Sequence, residues 1–259
     1  MKSVIHFVQM LIGAVAVVSV FASTAPASDG VSAHVSDGAI KATVERNLSS
    51  RSLLKGRDTD VHVSVDDRIV TLTGSVPTIK AMHEVEKVAR NSGKDLRIEN
   101  HVSIFVADRS DAQIAADVSA AIRRYPFYNI FDWVEGSVNN GVVILTGAVQ
   151  LPWYKAGYQE MLESVPGVNQ IQNQLHTLPL SYVDERLRSA ASSAIYGDPT
   201  FHSFASQPNP PIHVIVENAK ITLEGVVANA LQRQIAEGRV RTRVVALDVV
   251  NNLKIENVG

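Results

Sequence analysis

The stretch VVILTGAV, Val142–Val149, recurs with small changes as IVTLTGSV at Ile69–Val76 and as KITLEGVV at Lys220–Val227. Side chains alternate between the two faces of a strand. Val143, Leu145, Gly147 and Val149 therefore share one face, as do Val70, Leu72, Gly74 and Val76, and Ile221, Leu223, Gly225 and Val227. A glycine inside a strand gives up packing and loses more backbone freedom on folding than any other residue, so its recurrence on the apolar face needs a cause. The simplest is close approach of another backbone, such as a helix crossing the sheet. Approach of a ligand at that point is the alternative.

The surroundings of each glycine repeat as well. A short alternating segment precedes it, VHVSV (61–65), VEGSV (134–138) and IHVIV (212–216), joined by the turns DDR, NNG and ENA. Alternation marks strands, and Asn-Gly is a strong hairpin signal. Ahead of each hairpin, apolar residues three or four apart (Ile40/Val44/Leu48, Ile114/Val118/Ile122, Leu187/Ala191/Ile195) predict a helix. Asp37, Asp111 and Asp184 stand where a side-chain oxygen would cap its first amides. A second helix is predicted after each glycine, over about 79–90, 153–164 and 229–241. Twenty-six residues beyond each glycine lies an asparagine, Asn100, Asn173 or Asn251, flanked by apolar residues in a last strand. Parity turns these amides inward, where a buried amide must be hydrogen-bonded; a clamp onto backbone is expected. Glu99, His101, Gln172, Gln174, His176 and Lys254 fall on the other face, which reads as solvated.

The chain has 259 residues, 46% hydrophobic and 19% charged, with a net charge of -2. That balance fits an ordinary globular protein and offers nucleic acid no basic surface. Lys2, the apolar run Leu11–Ala22 and Ala25-Pro26-Ala27 predict a cleavable secretory leader over 1–27. The absence of cysteine excludes an N-terminal lipid-modified cysteine, disulfides and thiol chemistry. A soluble periplasmic protein is expected.

The helix-strand-strand-helix-strand order, the inward glycine in VTLTGSV, VILTGAV and ITLEGVV, and the closing GVNQIQNQL and ALDVVNNL resemble the BON (bacterial OsmY and nodulation) domain in three copies. Repeat one departs from the pattern, because NSGKDLRIENHV lacks the Gly-Val step before the last strand. The expected fold class is α+β: three tandem αββαβ two-layer sandwiches over 37–106, 111–178 and 184–256, each a small mixed sheet with two helices on one face. The resemblance implies an exported, non-enzymatic envelope protein that associates with phospholipid membranes and serves envelope maintenance or osmotic and stress protection. A periplasmic interaction scaffold or self-assembling adaptor is the alternative, with an envelope protein or a second copy as partner. Three tethered copies would combine weak contacts through linkage.

The residues themselves point the same way on catalysis. The seven histidines after the leader (His34, His62, His83, His101, His176, His202, His213) show no metal-ligand spacing, and there is neither a phosphate loop nor a nucleophile elbow. No cofactor or metal is expected. His62 and His213 occupy the same repeat position, on the solvated face by parity, and His62 would pair with His101 if their strands were neighbours.

The aromatic residues carry more information. Eight of 15 lie between 125 and 158: Tyr125, Phe127, Tyr128, Phe131, Trp133, Trp153, Tyr154 and Tyr158. Amphipathic rings beside cations suit a membrane interface. Arg123, Arg124, Tyr125, Tyr128, Trp133, Trp153, Tyr154 and Lys155 are the candidate membrane- or partner-binding residues, while Phe127, Phe131 and Tyr158 are expected in the core. Repeat two has three basic and six acidic residues, so attraction to an anionic surface cannot dominate there. Any contact would be aromatic and local.

Overall fold

In the computed structural model, which describes residues 35–256, each glycine-bearing strand is the middle strand of a small sheet. Repeat one runs α1 (Asp37–Ser49), β1 (Asp60–Asp66), β2 (Ile69–Val76), α2 (Ile79–Arg90) and β3 (Arg97–Ile104). Repeat two runs α3 (Asp111–Arg124), β4 (Trp133–Asn139), β5 (Val142–Val149), α4 (Pro152–Leu162), β6 (Gln170–Asn173) and β7 (His176–Thr177). Repeat three runs α5 (Tyr182–Tyr196), the short α6 (His202–Ala205), β8 (Ile212–Glu217), β9 (Lys220–Val227), α7 (Ala230–Arg243), β10 (Asp248–Asn251) and β11 (Lys254–Ile255). The first two strands of each repeat pair antiparallel and the last lies parallel on the other side of the middle strand. The expected leader lies outside the described residues, and no described helix is long and apolar enough to cross a membrane.

The repeated glycines do admit a backbone, but it belongs to the neighbouring strand rather than to a crossing helix. A Cβ built on Gly74, Gly147 or Gly225 would stand 1.9–2.0 Å from the carbonyl oxygen of Asp60, Trp133 or Pro211. All three glycines have φ between 109° and 122°. Only glycine adopts this backbone without strain or a clash with the neighbouring strand's carbonyl.

The aspartates serve a different end from the capping expected of them. Ser36, Ser110 and Ser181 are the N-caps. Asp37 accepts instead from the amides of Asp67 and Arg68, Asp111 from those of Asn140 and Gly141, and Asp184 from those of Asn218 and Ala219, at 2.6–3.2 Å. All six turn residues have positive φ, the mirror-image turn that suits a two-residue hairpin. Arg68 and Ala219 pay a steric penalty there, which the charge-assisted bonds offset. Each carboxylate thus latches the hairpin tip to the start of the first helix.

The asparagines join the last strand to the second helix. Asn173 donates to the carbonyl of Lys155 (2.8 Å), and Asn251 to the carbonyl of Arg233 (3.1 Å) and to Glu237 (3.0 Å). Asn100 reaches the Glu86 carboxylate rather than backbone (3.4 Å). Each also accepts, through Oδ1, from the amide two residues on.

Three cores result, and they touch. Ile79 of α2 is buried in the core of repeat two, with the Lys80 amide on the Glu163 carbonyl and the Gly167 amide on the Pro77 carbonyl. Repeats two and three meet differently. Trp133 packs over Ala148, Leu178 and Ile215, Phe131 lies against the core of repeat three, and Lys254 pairs with Glu135 at 3.0 Å. The sheet face expected to be solvated is, at this junction, an interface between repeats.

Candidate functional site

The connector Tyr125–Asp132 carries half of the aromatic cluster, four rings of eight, and sends them in two directions. Tyr125 turns toward α4, where its ring stands 4.2 Å from that of Tyr158 and 6.1 Å from that of Tyr154. Gly157 makes room for it: a Cβ there would lie 2.1 Å from the Tyr125 hydroxyl. A mid-helix glycine costs about 1 kcal/mol against alanine, and this was the one sequence signal for the close approach. Phe127 continues the line, edge-on to Trp153 at 4.7 Å and stacked on Tyr154 at 5.6 Å.

The outer end of this line is open. Trp153 is 50% exposed and Phe127, expected in the core, is 47% exposed. They border a groove of about 760 Å³ whose walls include Arg124, Tyr125, Glu160 and, from repeat one, Lys80. Tyr154 departs from its expected surface role: at 8% exposure it is part of the repeat-two core. Tyr158 fills that core as expected, its burial pushing the phenol far above its ordinary value. Lys155 does not border the groove; its backbone carbonyl holds Asn173. Lys80 could not be foreseen, because only the packing of repeat one on repeat two brings it here.

The other direction leads to repeat three. Tyr128 stacks on His213, ring centroids 5.1 Å apart, and Trp133 lies 5.1 Å from the same imidazole. His213 faces the outer side of its sheet, as parity requires, yet is only 5% exposed because repeat two covers it. The carbonyl of Asn129 lies 3.2 Å from Nδ1 and the Tyr128 hydroxyl 3.2 Å from Nε2. A carbonyl only accepts, so Nδ1 carries the proton and Nε2 accepts from the hydroxyl. Burial pushes the His213 pKa down to about 4, leaving the ring neutral. Asp132, fully buried nearby, accepts from the Gln150 amide (2.7 Å) and from Asn129 (2.8 Å), and burial raises its pKa to about 6. Arg123, Tyr128 and Trp133 line a second groove at this junction.

The eight candidates therefore do not form one surface. Arg124, Tyr125 and Trp153 meet at the exposed groove, Arg123, Tyr128 and Trp133 lie at the junction, and Tyr154 and Lys155 belong to neither opening. His62 and His101 are not on neighbouring strands: β2 runs between them, with Thr73 opposite both. Among the described residues no group of three or more histidines and carboxylates is placed to hold a metal.

A family model described as BON domain matches residues 36–104, 110–179 and 184–257. No curated protein matches the chain. Among solved structures, the C-terminal domain of CdsD, described as a structural protein of the type III secretion system of Chlamydia trachomatis, is similar at 12% identity, with 83% of this chain and 96% of that one covered and a TM-score of 0.25. A second CdsD structure from the same organism is similar at 13% identity, covering 83% and 91%, with a TM-score of 0.23.

Proposed function

Since this chain belongs to the BON domain family and carries the domain three times, we propose that it is a non-enzymatic, exported protein of the bacterial envelope that attaches peripherally to phospholipid, in envelope maintenance or stress protection. The observation that carries the reading is the exposed pair Trp153 and Phe127, set in a groove between the cations Arg124 and Lys80. Rings of this kind settle among lipid headgroups, where cations meet phosphate. Burying their exposed halves is worth about 4–5 kcal/mol at ~25 cal/mol per Å². That supports reversible adsorption and falls far short of a permanent anchor.

The expected leader at 1–27 supports export, and the lack of any pairing of a base with a nucleophile supports a role without turnover. Among the described residues the exposed Trp153 and Phe127 pair belongs to repeat two, with Lys80 of repeat one on the same groove, so repeats one and three serve that surface as supports. Co-sedimentation of the mature chain with phosphatidylglycerol-containing and neutral vesicles tests the reading. Binding that Trp153→Ala and Phe127→Ala each weaken supports it, whereas equal binding by the double variant removes the site.

A further inference from the structure

The first strand of every repeat is a sheet edge, and among the described residues only that of repeat three is hydrogen-bonded along its outer side. In repeat three each outward-facing position of β8 is occupied. The Tyr196 hydroxyl bonds the carbonyl and amide of Ile212, Arg188 donates to the carbonyl of Val216 at 2.9 Å, and the amide of Val214 donates to the carbonyl of Ile130 at 2.7 Å. The last of these comes from the repeat-two connector, which meets the strand at this one backbone bond.

The same positions in repeat two follow from register. Val134 stands opposite Gly147 as Ile212 stands opposite Gly225, Gly136 opposite Leu145 as Val214 opposite Leu223, and Val138 opposite Val143 as Val216 opposite Ile221. Among the described residues no hydrogen bond reaches the outer side of Val134, Gly136 or Val138. The groups that finish β8 have no counterparts in repeat two. Arg188 and Tyr196 are the fourth and twelfth residues after Asp184; the fourth and twelfth after Asp111 are Ala115 and Arg123. Alanine cannot reach a carbonyl, and the arginine stands in the groove instead.

That groove, of about 640 Å³, follows the edge from Val134 to Ser137. It is walled by Ile122 and Arg123 of α3 on one side and by Pro210 and Pro211 of the repeat-three connector on the other, with Tyr128 and Trp133 at one end. A free strand edge is a template for backbone pairing, which gives affinity, while side-chain pockets give selectivity. Arg123 is exposed and makes no ion pair among the described residues, so it favours an acidic side chain.

We infer that the β4 edge is a docking site for an extended segment of a partner polypeptide, with apolar side chains facing Ile122 and Tyr128 and an acidic one meeting Arg123. On β8 the corresponding amide, that of Val214, is met by one carbonyl of the repeat-two connector, Ile130. The site is separate from the Trp153 groove and does not rest on the lipid reading.

The test pans a displayed library of random heptapeptides on the full chain, then maps the enriched synthetic peptides on the isotope-labelled chain by amide shifts and amide exchange. The expected result is enrichment of alternating apolar peptides with an acidic residue, protecting the Gly136 and Val138 amides. The double variant Ala115→Arg with Arg123→Tyr, which writes the repeat-three finish into repeat two, should weaken them about tenfold while the melting curve is retained. If that variant misfolds, the wild-type amide map decides alone. No enrichment, peptides that map to the Trp153 groove or elsewhere, or affinity indifferent to a folded double variant would overturn the proposal.

Discussion

His62 and His213 hold the same place in their repeats, each opposite the residue preceding the kinked glycine. The first has a side chain 71% exposed with Asp60 3.4 Å away; the second is enclosed by Tyr128, Trp133 and a backbone carbonyl. Nothing in the two strands accounts for the contrast. It originates in the connector between α3 and β4, which crosses to repeat three and covers its outer sheet face. At these two histidines the repeated residues specify the strand, and the unrepeated connector specifies what covers it.

If that division holds, lesions in the repeated machinery should cost the same everywhere. Gly74→Ala, Gly147→Ala and Gly225→Ala each force a Cβ against a carbonyl at strained φ, and each is expected to lose roughly 3–5 kcal/mol in urea melts. A marked inequality among the three would break the comparison.

Titration separates the junction from the rest. The folded His213 pKa of about 4 lies below the ordinary 6.5, so its contribution is complete above 6.5 and is lost as pH falls through that window. The folded Asp132 pKa of about 6 lies above the ordinary 3.8, so its contribution is complete below 3.8 and is lost as pH rises toward 6. Between about pH 4 and 6 the two slopes oppose and largely cancel. Asp132→Asn should uncover the histidine: stability then drops by up to roughly 3 kcal/mol as pH is lowered from 6.5 to 4, at about 1.4 kcal/mol per pH unit. Melts of the wild type and the variant across this range check it, and parallel curves would refute the cancellation.

The smaller effects sharpen the same contrast. His213→Ala is expected to cost about 2 kcal/mol through the lost stacking and hydrogen bonds, against less than about 0.5 kcal/mol for His62→Ala. Asn173→Ala should cost about 1 kcal/mol by freeing the last strand from the Lys155 carbonyl, as Asn251→Ala should at the Arg233 carbonyl.

The fold was legible because it is local and repeated. Strand parity, the 3.6-residue period and the Asn-Gly turn each speak within a few residues, and three copies confirm one another. Parity also told correctly which face His213 occupies. It could not tell what would cover that face, since the covering chain and the covered strand are some 85 residues apart. The hairpin latch was missed for a related reason. An aspartate in a first turn reads as a cap, and its reach to a turn 30 residues later leaves no local trace. The candidate site was half legible: ring density and nearby arginines pointed to repeat two, but the assignment of rings to core, groove or junction depends on Gly157, Lys80 and the connector's path.

The two tryptophans allow the central claim to be tested inside one molecule. Trp133→Phe leaves Trp153 as the sole reporter at the repeat-two groove, and Trp153→Phe leaves Trp133 as the reporter at the junction with repeat three. On titration with phosphatidylglycerol-containing vesicles, Trp153 emission should shift to the blue while Trp133 emission stays fixed. A shift confined to Trp133, or no shift from either with the protein folded, would contradict a lipid-facing surface at Trp153.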